Sequence, residues 1–362
     1  MATDGSASGS QLRGTGVTRV LAARLRVAAV LRLKGAVVGI LALLFAALVS
    51  QALAPAALVG TERPLLAYAR GGGLFAVNDD SSGARRLIAP RSRVESFAWA
   101  PDGRRIVVAR SGVGLSVLAV STRKLKTLTT GSSDGSPDWS RNGKRIAFSR
   151  GDYGEIWTVS PAGKAARRVV EAYDAYAPEW SPDSRKIAFD WDAGDSYNAF
   201  AVVNADGRGR VNVGADGDNV WGPHWSPDSH RIVFTRAPIS GGADPEPSPS
   251  LWLMNSDGTN QHPLITDASA NGAEQELPAW SPDGGRIAFG SGGQIDVVNT
   301  DGSQRTTLAT NGYAPKWSPD GTEIAFTRPR GNVTDLFVMN ADGSNPHRLA
   351  TGPVTGFAWK PK

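Results

Sequence analysis

The sequence predicts an all-β fold, a seven-bladed β-propeller. Three observations predict it. A phrase around Trp-Ser-Pro-Asp-Gly returns about every 40 residues, each repeat encodes four short strands, and the strand total fits seven sheets of four. The clearest copy is 280–284, followed by the apolar strand 287–289. Further copies begin at Trp180, Trp225 and Trp317, looser copies at Trp99 and Trp139, and a last fragment contains Trp359.

Each repeat contains two kinds of turn. In Ser-Pro-Asp-Gly, Pro presets φ and Gly accepts the left-handed conformation, so this segment links the first strand to the second. Asn-x-Asp-Gly, as at 340–343, is a hairpin signal between the third and fourth strands. We interpret the repeated Trp as a packing residue, since one occurs in each blade. We interpret the repeated Asp as a residue that caps its own turn.

The strand count gives the number of blades. Six complete repeats start at the Trp residues from Trp99 to Trp317, and three further strands precede Trp99, at 65–68, 73–78 and 85–88. These three lack a first strand, which the Trp359 segment supplies. We therefore expect the ring to close by pairing of the N- and C-terminal strands, which removes exposed sheet edges. Six blades remain the alternative if this hybrid blade or one repeat fails to form.

Over residues 64 to 361 these repeats resemble the TolB-type propeller repeat, which is also found in tricorn-like and prolyl-oligopeptidase-like propellers. The resemblance implies an exported, non-catalytic propeller that docks protein partners at the cell envelope. Two features depart from TolB: its propeller follows an α/β domain and has six blades, whereas here the strands follow an apolar leader and seven blades are counted. The peptidase relatives carry catalysis on a hydrolase domain, for which this sequence leaves no room. Its one Gly-x-Ser-x-Gly match, at 131–135, lies inside a propeller repeat and lacks the strand-to-helix context of a nucleophile elbow.

The N-terminal region predicts export. Residues 1–34 are basic, residues 35–60 form an uncharged apolar segment expected to be a helix, and residues 61–362 form the propeller. Such a segment is either a cleaved signal peptide, with 54–56 fitting a small-x-small cleavage site, or a membrane anchor through residues 35–57. Either way the positive-inside rule places the propeller in the periplasm or another extracytoplasmic space.

Charge and cysteine content exclude several classes of function. The chain has a net charge of +5, and the whole excess lies in residues 1–60, so the propeller itself is neutral. A neutral domain does not favour nucleic-acid binding. The chain contains no cysteine, which excludes disulfides, thiol catalysis and zinc–thiolate sites.

The two ends of the propeller differ in sequence. Because strands alternate in direction, the turns after first and third strands share one end, here called the turn face, and the variable loops share the other, the loop face. The loop face is rich in acidic and aromatic residues. Basic residues lie beside the turns: Arg104, Arg105, Lys144, Arg145, Arg185, Lys186 and Arg231. Aromatic side chains with a polar group are typical of recognition surfaces.

We therefore expect a binding site at the mouth of the central channel on the loop face, and no catalytic residues. First strands should be innermost, which turns the residues before each Trp towards the channel. The candidates are Asp138, Tyr173, Asp174, Tyr176, Glu179, Asp216, Asp218, Trp221, His224, Glu274, Glu276, Tyr313 and Lys316. Plain packing of Tyr and Trp between blades, with solvated acidic loops, is the alternative.

A metal site has little support in the sequence. Asp190, Asp192 and Asp195 alternate with a Gly turn in the manner of a calcium loop, but the distal Glu that such a loop requires is missing. We expect no cofactor, with calcium as the one alternative.

Two functions from different classes remain. The first is a monomeric, non-catalytic scaffold for a protein or peptide partner, or a glycan, at the cell envelope. The second is a small propeller enzyme, a lyase or glycan-acting hydrolase with its site in the channel, for which His224 and nearby carboxylates are the only sequence support.

Overall fold

The computed structural model describes residues 65–151, 154–171, 175–192, 198–214, 218–238, 250–265 and 278–362. They belong to one compact unit, Arg63–Lys362. The segments 1–34 and 35–60, with the expected signal peptide or anchor, lie outside the described residues. Within the described part of the chain, no helix has both the length and the apolar character needed to cross a bilayer.

The described chain forms seven antiparallel sheets of four strands. The prediction of an all-β, seven-bladed propeller is therefore confirmed, and the alternative prediction of six blades is wrong. Blade 1 contains β1 (Leu65–Arg70), β2 (Gly73–Asn78), β3 (Arg85–Ile88) and β28 (Val354–Trp359). In this blade β28 pairs with β1, and Leu66 lies opposite Trp359. A short 3-10 turn, Pro90–Ser92, leads to blade 2.

The other six blades each use four consecutive strands. Blade 2 contains β4 (Val94–Trp99), β5 (Arg105–Arg110), β6 (Gly114–Ala119) and β7 (Lys124–Thr127). Blade 3 contains β8 (Gly135–Trp139), β9 (Ile146–Arg150), β10 (Glu155–Val159) and β11 (Arg167–Val170). Blade 4 contains β12 (Ala175–Trp180), β13 (Lys186–Asp192), β14 (Asn198–Asn204) and β15 (Val211–Val213). Blade 5 contains β16 (Asp218–Trp225), β17 (Arg231–Pro238), β18 (Ser250–Asn255) and β19 (His262–Ile265). Blade 6 contains β20 (Ala279–Trp280), β21 (Arg286–Ser291), β22 (Gln294–Asn299) and β23 (Thr306–Thr310). Blade 7 contains β24 (Tyr313–Trp317), β25 (Glu323–Arg330), β26 (Val333–Asn340) and β27 (His347–Ala350).

The first strand of each blade is innermost. First strands of neighbouring blades, such as β4 with β8 and β8 with β12, contact one another around the axis. The fourth strands are outermost, and all four residues of β7 are exposed. The residues of the first strands therefore line the central channel.

The hydrophobic core lies between blades rather than at one centre. Each described cluster of buried residues joins two neighbouring sheets; one unites Val202 of blade 4 with Phe234 of blade 5. The largest fully buried side chains include Phe148, Phe189 and Phe326 on second strands. Because both faces of each sheet are covered, strands with apolar residues on both faces are stable here, at about 25 cal/mol per Å² of apolar area buried.

The repeated turn is held together by its own side chains. In blade 6, Ser281 Oγ donates to Asp283 Oδ1 over 2.5 Å and accepts the Arg286 N–H over 2.9 Å. Asp283 also accepts the Gly285 N–H over 2.9 Å. These bonds, led by that from Ser281, lower the pKa of Asp283. The repeated Asp is therefore a capping residue of its turn, as expected.

The repeated Trp joins neighbouring blades. In four blades its indole N–H donates to the backbone carbonyl of the residue before the Trp in the preceding blade. Trp225 donates to Glu179 O over 3.2 Å, Trp280 to His224 O over 3.1 Å, and Trp359 to Lys316 O over 3.0 Å. Trp139, Trp180 and Trp317 are buried in the same position, but their indole N–H groups have no hydrogen-bond partner among the described residues. The Trp interpretation is thus confirmed. Where these bonds form, they fix the backbone of the residue before the Trp and leave its side chain free to vary.

Candidate functional site

Four innermost strands share an irregularity that positions the channel side chains. In each, a residue with positive φ precedes a Pro: Ser136, Ala177, Gly222 and Ala314, with φ of 43°, 47°, 63° and 51°. The pairing register shifts at each of these points, which marks a β-bulge. A bulge redirects the side chain that follows it, and such irregularities are enriched next to functional sites. The redirected side chains are Asp138, Glu179, His224 and Lys316.

Glu179 and His224 form the centre of the channel site. His224 Nδ1 lies 2.8 Å from Glu179 Oε2, and each side chain is 31% exposed. The second carboxylate oxygen of Glu179 accepts the Trp225 N–H over 3.3 Å. In blade 3, Asp138 Oδ2 likewise accepts the Trp180 N–H over 2.7 Å. Blades 3 to 5 thus direct polar side chains into the channel. Asp138 and Glu179 are anchored to the next blade, and His224 is anchored to Glu179 of the preceding blade.

Two further charged groups complete this channel cluster. Lys316 of blade 7 donates from Nζ to Phe357 O over 3.1 Å, and its side chain remains exposed. Asp190 comes from a second strand, β13, is 8% exposed, and accepts the Gly222 N–H over 3.2 Å. The channel cluster, Asp138, Glu179, Asp190, His224 and Lys316, therefore places three carboxylates near one imidazole and one ammonium group.

Burial changes the pKa values of this cluster. Removal from bulk water raises the pKa of Asp138 and of Asp190 to about 7 in each case, although hydrogen bonds from Trp180 and Gly222 oppose the rise. Burial alone would lower the pKa of His224, but the charge and hydrogen bond of Glu179 raise it. Desolvation of the ammonium group within the channel lowers the pKa of Lys316, against the opposing charge of Glu179, although the residue keeps surface exposed along the channel. Groups that exchange protons near neutral pH are typical of functional sites.

The remaining described candidates lie in the part of the first strands nearer the loop face. Asp218 is paired with Arg236, whose guanidinium lies 4.6 Å from the centre of the Trp252 ring. Trp221 belongs to the same strand, and Tyr313 O accepts a bond from Thr327 Oγ1. Tyr176 is 40% exposed, and burial together with Asp190 and Asp192 raises its pKa.

The structure therefore separates the candidates along the channel. The side chains before each Trp lie near the turn-face end of the first strands, whereas Tyr176, Asp218, Trp221 and Tyr313 lie towards the loop face. Tyr173, Asp174, Asp216, Glu274 and Glu276 are outside the described residues.

The described residues hold no group of three or more His, Cys, Asp or Glu side chains arranged to bind a metal ion. Of the calcium candidates, Asp190 belongs to the channel cluster and Asp192 lies exposed at the end of β13. Asp195 is outside the described residues, so calcium binding stays a prediction.

Sequence reasoning missed Asp190 as a member of the channel cluster. It lies on a second strand, and only the bulge in β16 brings Gly222 against its carboxylate. A signal for the bulges was present: x-Pro-x-Trp occurs at 136–139, 177–180, 222–225, 277–280 and 314–317. In four of these five repeats the residue before the Trp is charged or ionisable, and in the repeat at 277–280 it is Ala279.

Comparison with known proteins supports the same repeat type. No family model matches the chain. TolB of Anaeromyxobacter dehalogenans is 32% identical over 110 residues, which cover 29% of this chain and 24% of that protein. The match therefore spans about a quarter of that relative.

Solved structures show the same fold. TolB from Acinetobacter baumannii aligns with a TM-score of 0.53 at 18% identity, covering 83% of this chain and 67% of that one. An oligogalacturonate lyase in complex with manganese aligns with a TM-score of 0.61 at 13% identity, covering 74% and 82%. At these identities the structures show the fold alone. The chain is a seven-bladed β-propeller built from TolB-like repeats.

Proposed function

We propose that this chain is an exported binding propeller of the cell envelope, a non-catalytic scaffold whose channel receives a protein or peptide partner. The signal peptide or anchor at 35–60 would deliver it to the periplasm, and pairing of β28 with β1 would close the ring. The observation that carries the proposal is the channel cluster, in which ionisable side chains from several blades converge while still accessible from the channel.

The charges of the cluster suggest what enters the channel. Glu179, Asp138 and Asp190 present carboxylates on blades 3 and 4, and Lys316 presents an ammonium group on blade 7. A peptide with a basic side chain could pair with the carboxylates, while its carbonyl or carboxylate oxygens pair with Lys316. Charge-assisted hydrogen bonds of this kind are about twice as strong as neutral ones.

A partner capture experiment tests the proposal. Full-length protein with a C-terminal tag is recovered from envelope extracts of its own host, and co-purified proteins are quantified. The variant combines Glu179→Gln, His224→Gln and Lys316→Met. The matched control combines Glu171→Gln, His262→Gln and Lys164→Met, which makes the same changes at exposed peripheral positions. We expect the channel variant to lose the partner and the control to retain it; equal recovery from both would refute a channel site.

A second candidate is an enzyme, a lyase or glycan-acting hydrolase, and the channel cluster also favours it. His224 beside Glu179, with Asp138 and Asp190 both at a pKa of about 7, could supply a general acid and a general base near neutral pH. Incubation with glycan and peptide libraries tests this candidate. Turnover that is abolished in a folded His224→Ala variant would establish it, and absence of turnover across both libraries would count against it.

A further inference from the structure

We infer that the turn face carries a second binding site, between blades 1 and 2, that takes the phosphate group of anionic lipid headgroups through Arg85, Arg104 and Arg123. This inference rests on the export and envelope location in the proposed function, but not on the channel cluster.

The site is a cavity of about 580 Å³ lined by Arg85, Gly103, Arg104, Val120, Ser121 and Arg123. Arg85 begins the outermost strand of blade 1, Arg104 lies in the turn after the first strand of blade 2, and Arg123 lies in the turn after its third strand. All three side chains are exposed, and the lining residues include no carboxylate. Two blades thus direct three positive charges at one concave surface.

These three charges are not neutralised by the protein. Arg150 pairs with Asp134 over 2.7 Å and Arg330 pairs with Asp335 over 2.9 Å. In the described part of the chain, by contrast, the cavity arginines make no ion pair with a carboxylate and do not stack on an aromatic ring. Asp102, which lies in the same turn as Arg104, is paired with Arg105 over 2.8 Å. The guanidinium groups are therefore available to a ligand.

Blade 2 also departs from the repeat at this point. In blades 4 to 7 the turn after the third strand carries an exposed or half-buried Asp: Asp206, Asp257, Asp301 and Asp342. In blade 2 the same turn is 120–123, Val-Ser-Thr-Arg, and Arg123 has a φ of 55°. Ser121 stands at the position of the repeated Asp, so this turn lacks the negative charge of those four blades, and Arg123 contributes a positive charge beside the cavity.

The chain enters the propeller at the same place. Leu65, the first residue of β1, lies at the turn face, where its carbonyl accepts the Lys360 N–H over 2.7 Å. Lys360 also packs against Gly103 of the cavity, since a Cβ added to Gly103 would lie 2.8 Å from Lys360 Cε. In the sequence, the apolar segment 35–60 ends four residues before β1. The segment that the proposed function assigns to export or anchoring is thus close in sequence to the strand that begins at the turn face.

The chemistry of the cavity suits phosphate. Guanidinium groups bind phosphate oxygens in a bidentate manner, and several arginines around one cavity can share the oxygens of one group. Basic residues next to a membrane are attracted by anionic lipids, and this attraction weakens with salt. Phosphatidylglycerol is therefore a suitable probe.

Lipid titration into the full chain in neutral detergent tests the inference. The chain has no cysteine, so a single Thr122→Cys substitution beside the cavity allows specific labelling with an environment-sensitive fluorophore. We expect short-chain phosphatidylglycerol to change the fluorescence and short-chain phosphatidylcholine to leave it unchanged. The combined variant Arg85→Gln, Arg104→Gln and Arg123→Gln should weaken the apparent affinity roughly 100-fold.

The matched control removes the same charge elsewhere on the turn face, through Arg141→Gln, Arg185→Gln and Arg208→Gln in blades 3 and 4. We expect it to bind as the parent chain does. Equal weakening in both variants would show a general charge effect and overturn the site. A cavity variant with Lys in place of each Arg keeps the charge but loses the bidentate geometry, and should fall between the other two; parent-like affinity would overturn the bidentate assignment.

Two further arms separate the sources of phosphate and the two proposals. Inorganic phosphate that changes the fluorescence as strongly as phosphatidylglycerol would assign the cavity to a soluble anion and overturn the lipid assignment. Each lipid-binding variant is also used for partner capture from envelope extracts. A cavity variant that loses lipid binding but still captures the partner would show that the cavity acts independently of the channel. A variant that loses partner capture but still binds lipid would bear on the channel proposal and leave the cavity proposal intact.

Discussion

The two residues that flank the repeated Trp differ in how much they vary from blade to blade. The residue after the Trp lies on the turn face, and the residue before it lies on the channel wall. The Ser after the Trp is the same in five blades, and in each its hydroxyl is bonded within its own turn. The residue before the Trp is Asp, Glu, His or Lys in blades 3, 4, 5 and 7, and Ala in the others. In four blades the backbone carbonyl at this second position accepts the indole N–H of the next blade's Trp, but its side chain does not define the fold. Stability therefore depends on the Trp and the turns, and ligand chemistry depends on the channel side chains.

The largest effect should come from the Trp. Trp280 is 9% exposed, and its indole N–H donates to His224 O. The Arg231 guanidinium carbon lies over the indole ring, 5.0 Å from the ring centre. We expect Trp280→Ala to lower the free energy of unfolding by ~3–5 kcal/mol, measured by urea denaturation. Trp280→Phe keeps most of the packing and should cost far less. Equal stability of the two variants would mean that the Trp is not the inter-blade contact described above.

The next largest effect should be a gain in stability, from the replacement of Asp190 on the channel wall. Asp190 has a pKa of about 7 when folded, above its ordinary 3.8, so the folded state holds its proton more tightly. The stability contributed by protonated Asp190 is therefore complete below pH ~4 and is lost as pH rises to about 7. Asp190→Asn should match the parent chain at low pH and exceed it by about 2 kcal/mol above neutral pH, in thermal unfolding across pH. Exposed Asp192→Asn is the control, and a constant difference at every pH would contradict the burial of Asp190.

A smaller loss should follow from one turn. Ser281→Ala removes the hydroxyl that bonds both Asp283 and the Arg286 backbone, which should cost ~1–2 kcal/mol in urea denaturation. Ser121→Ala, in an exposed turn of blade 2, is the matched control and should be close to neutral. If both substitutions were neutral, the repeated Ser would not contribute to the stability of its turn.

The smallest change in stability should come from His224→Gln. The pKa of His224 is raised, so its ion pair with Glu179 stabilises the fold fully below pH ~6.5 and loses that effect as pH rises through the folded-state pKa. The substitution should therefore cost under ~1 kcal/mol, and only on the acidic side, because the pair is partly exposed. Thermal unfolding at acidic and alkaline pH measures this, and a larger loss at alkaline pH would contradict the assigned pair.

Local signals in the sequence were sufficient for the blades but not for the channel. Strands 65–68, 73–78 and 85–88 were predicted from apolar runs between turn residues, and β1 to β3 occupy those positions. Asp138, Glu179, His224 and Lys316 were expected at the channel because strand order places first strands innermost. Asp190 was not, because its contact with Gly222 depends on a bulge in a neighbouring blade. The ion pair of Asp218 with Arg236 was not predicted either, since it joins residues of two strands whose register the sequence does not give.

The fold class, the number of blades and the chemistry of the turns follow from the residues alone, because each depends on short-range patterns that recur in several repeats. Which side chains meet depends on the packing of the folded sheets. Glu179 of blade 4 contacts His224 of blade 5, and Arg85 of blade 1 shares a cavity with Arg104 and Arg123 of blade 2. Such contacts depend on how one sheet packs on the next and on local bulges. Neither can be predicted from the residues of a single repeat.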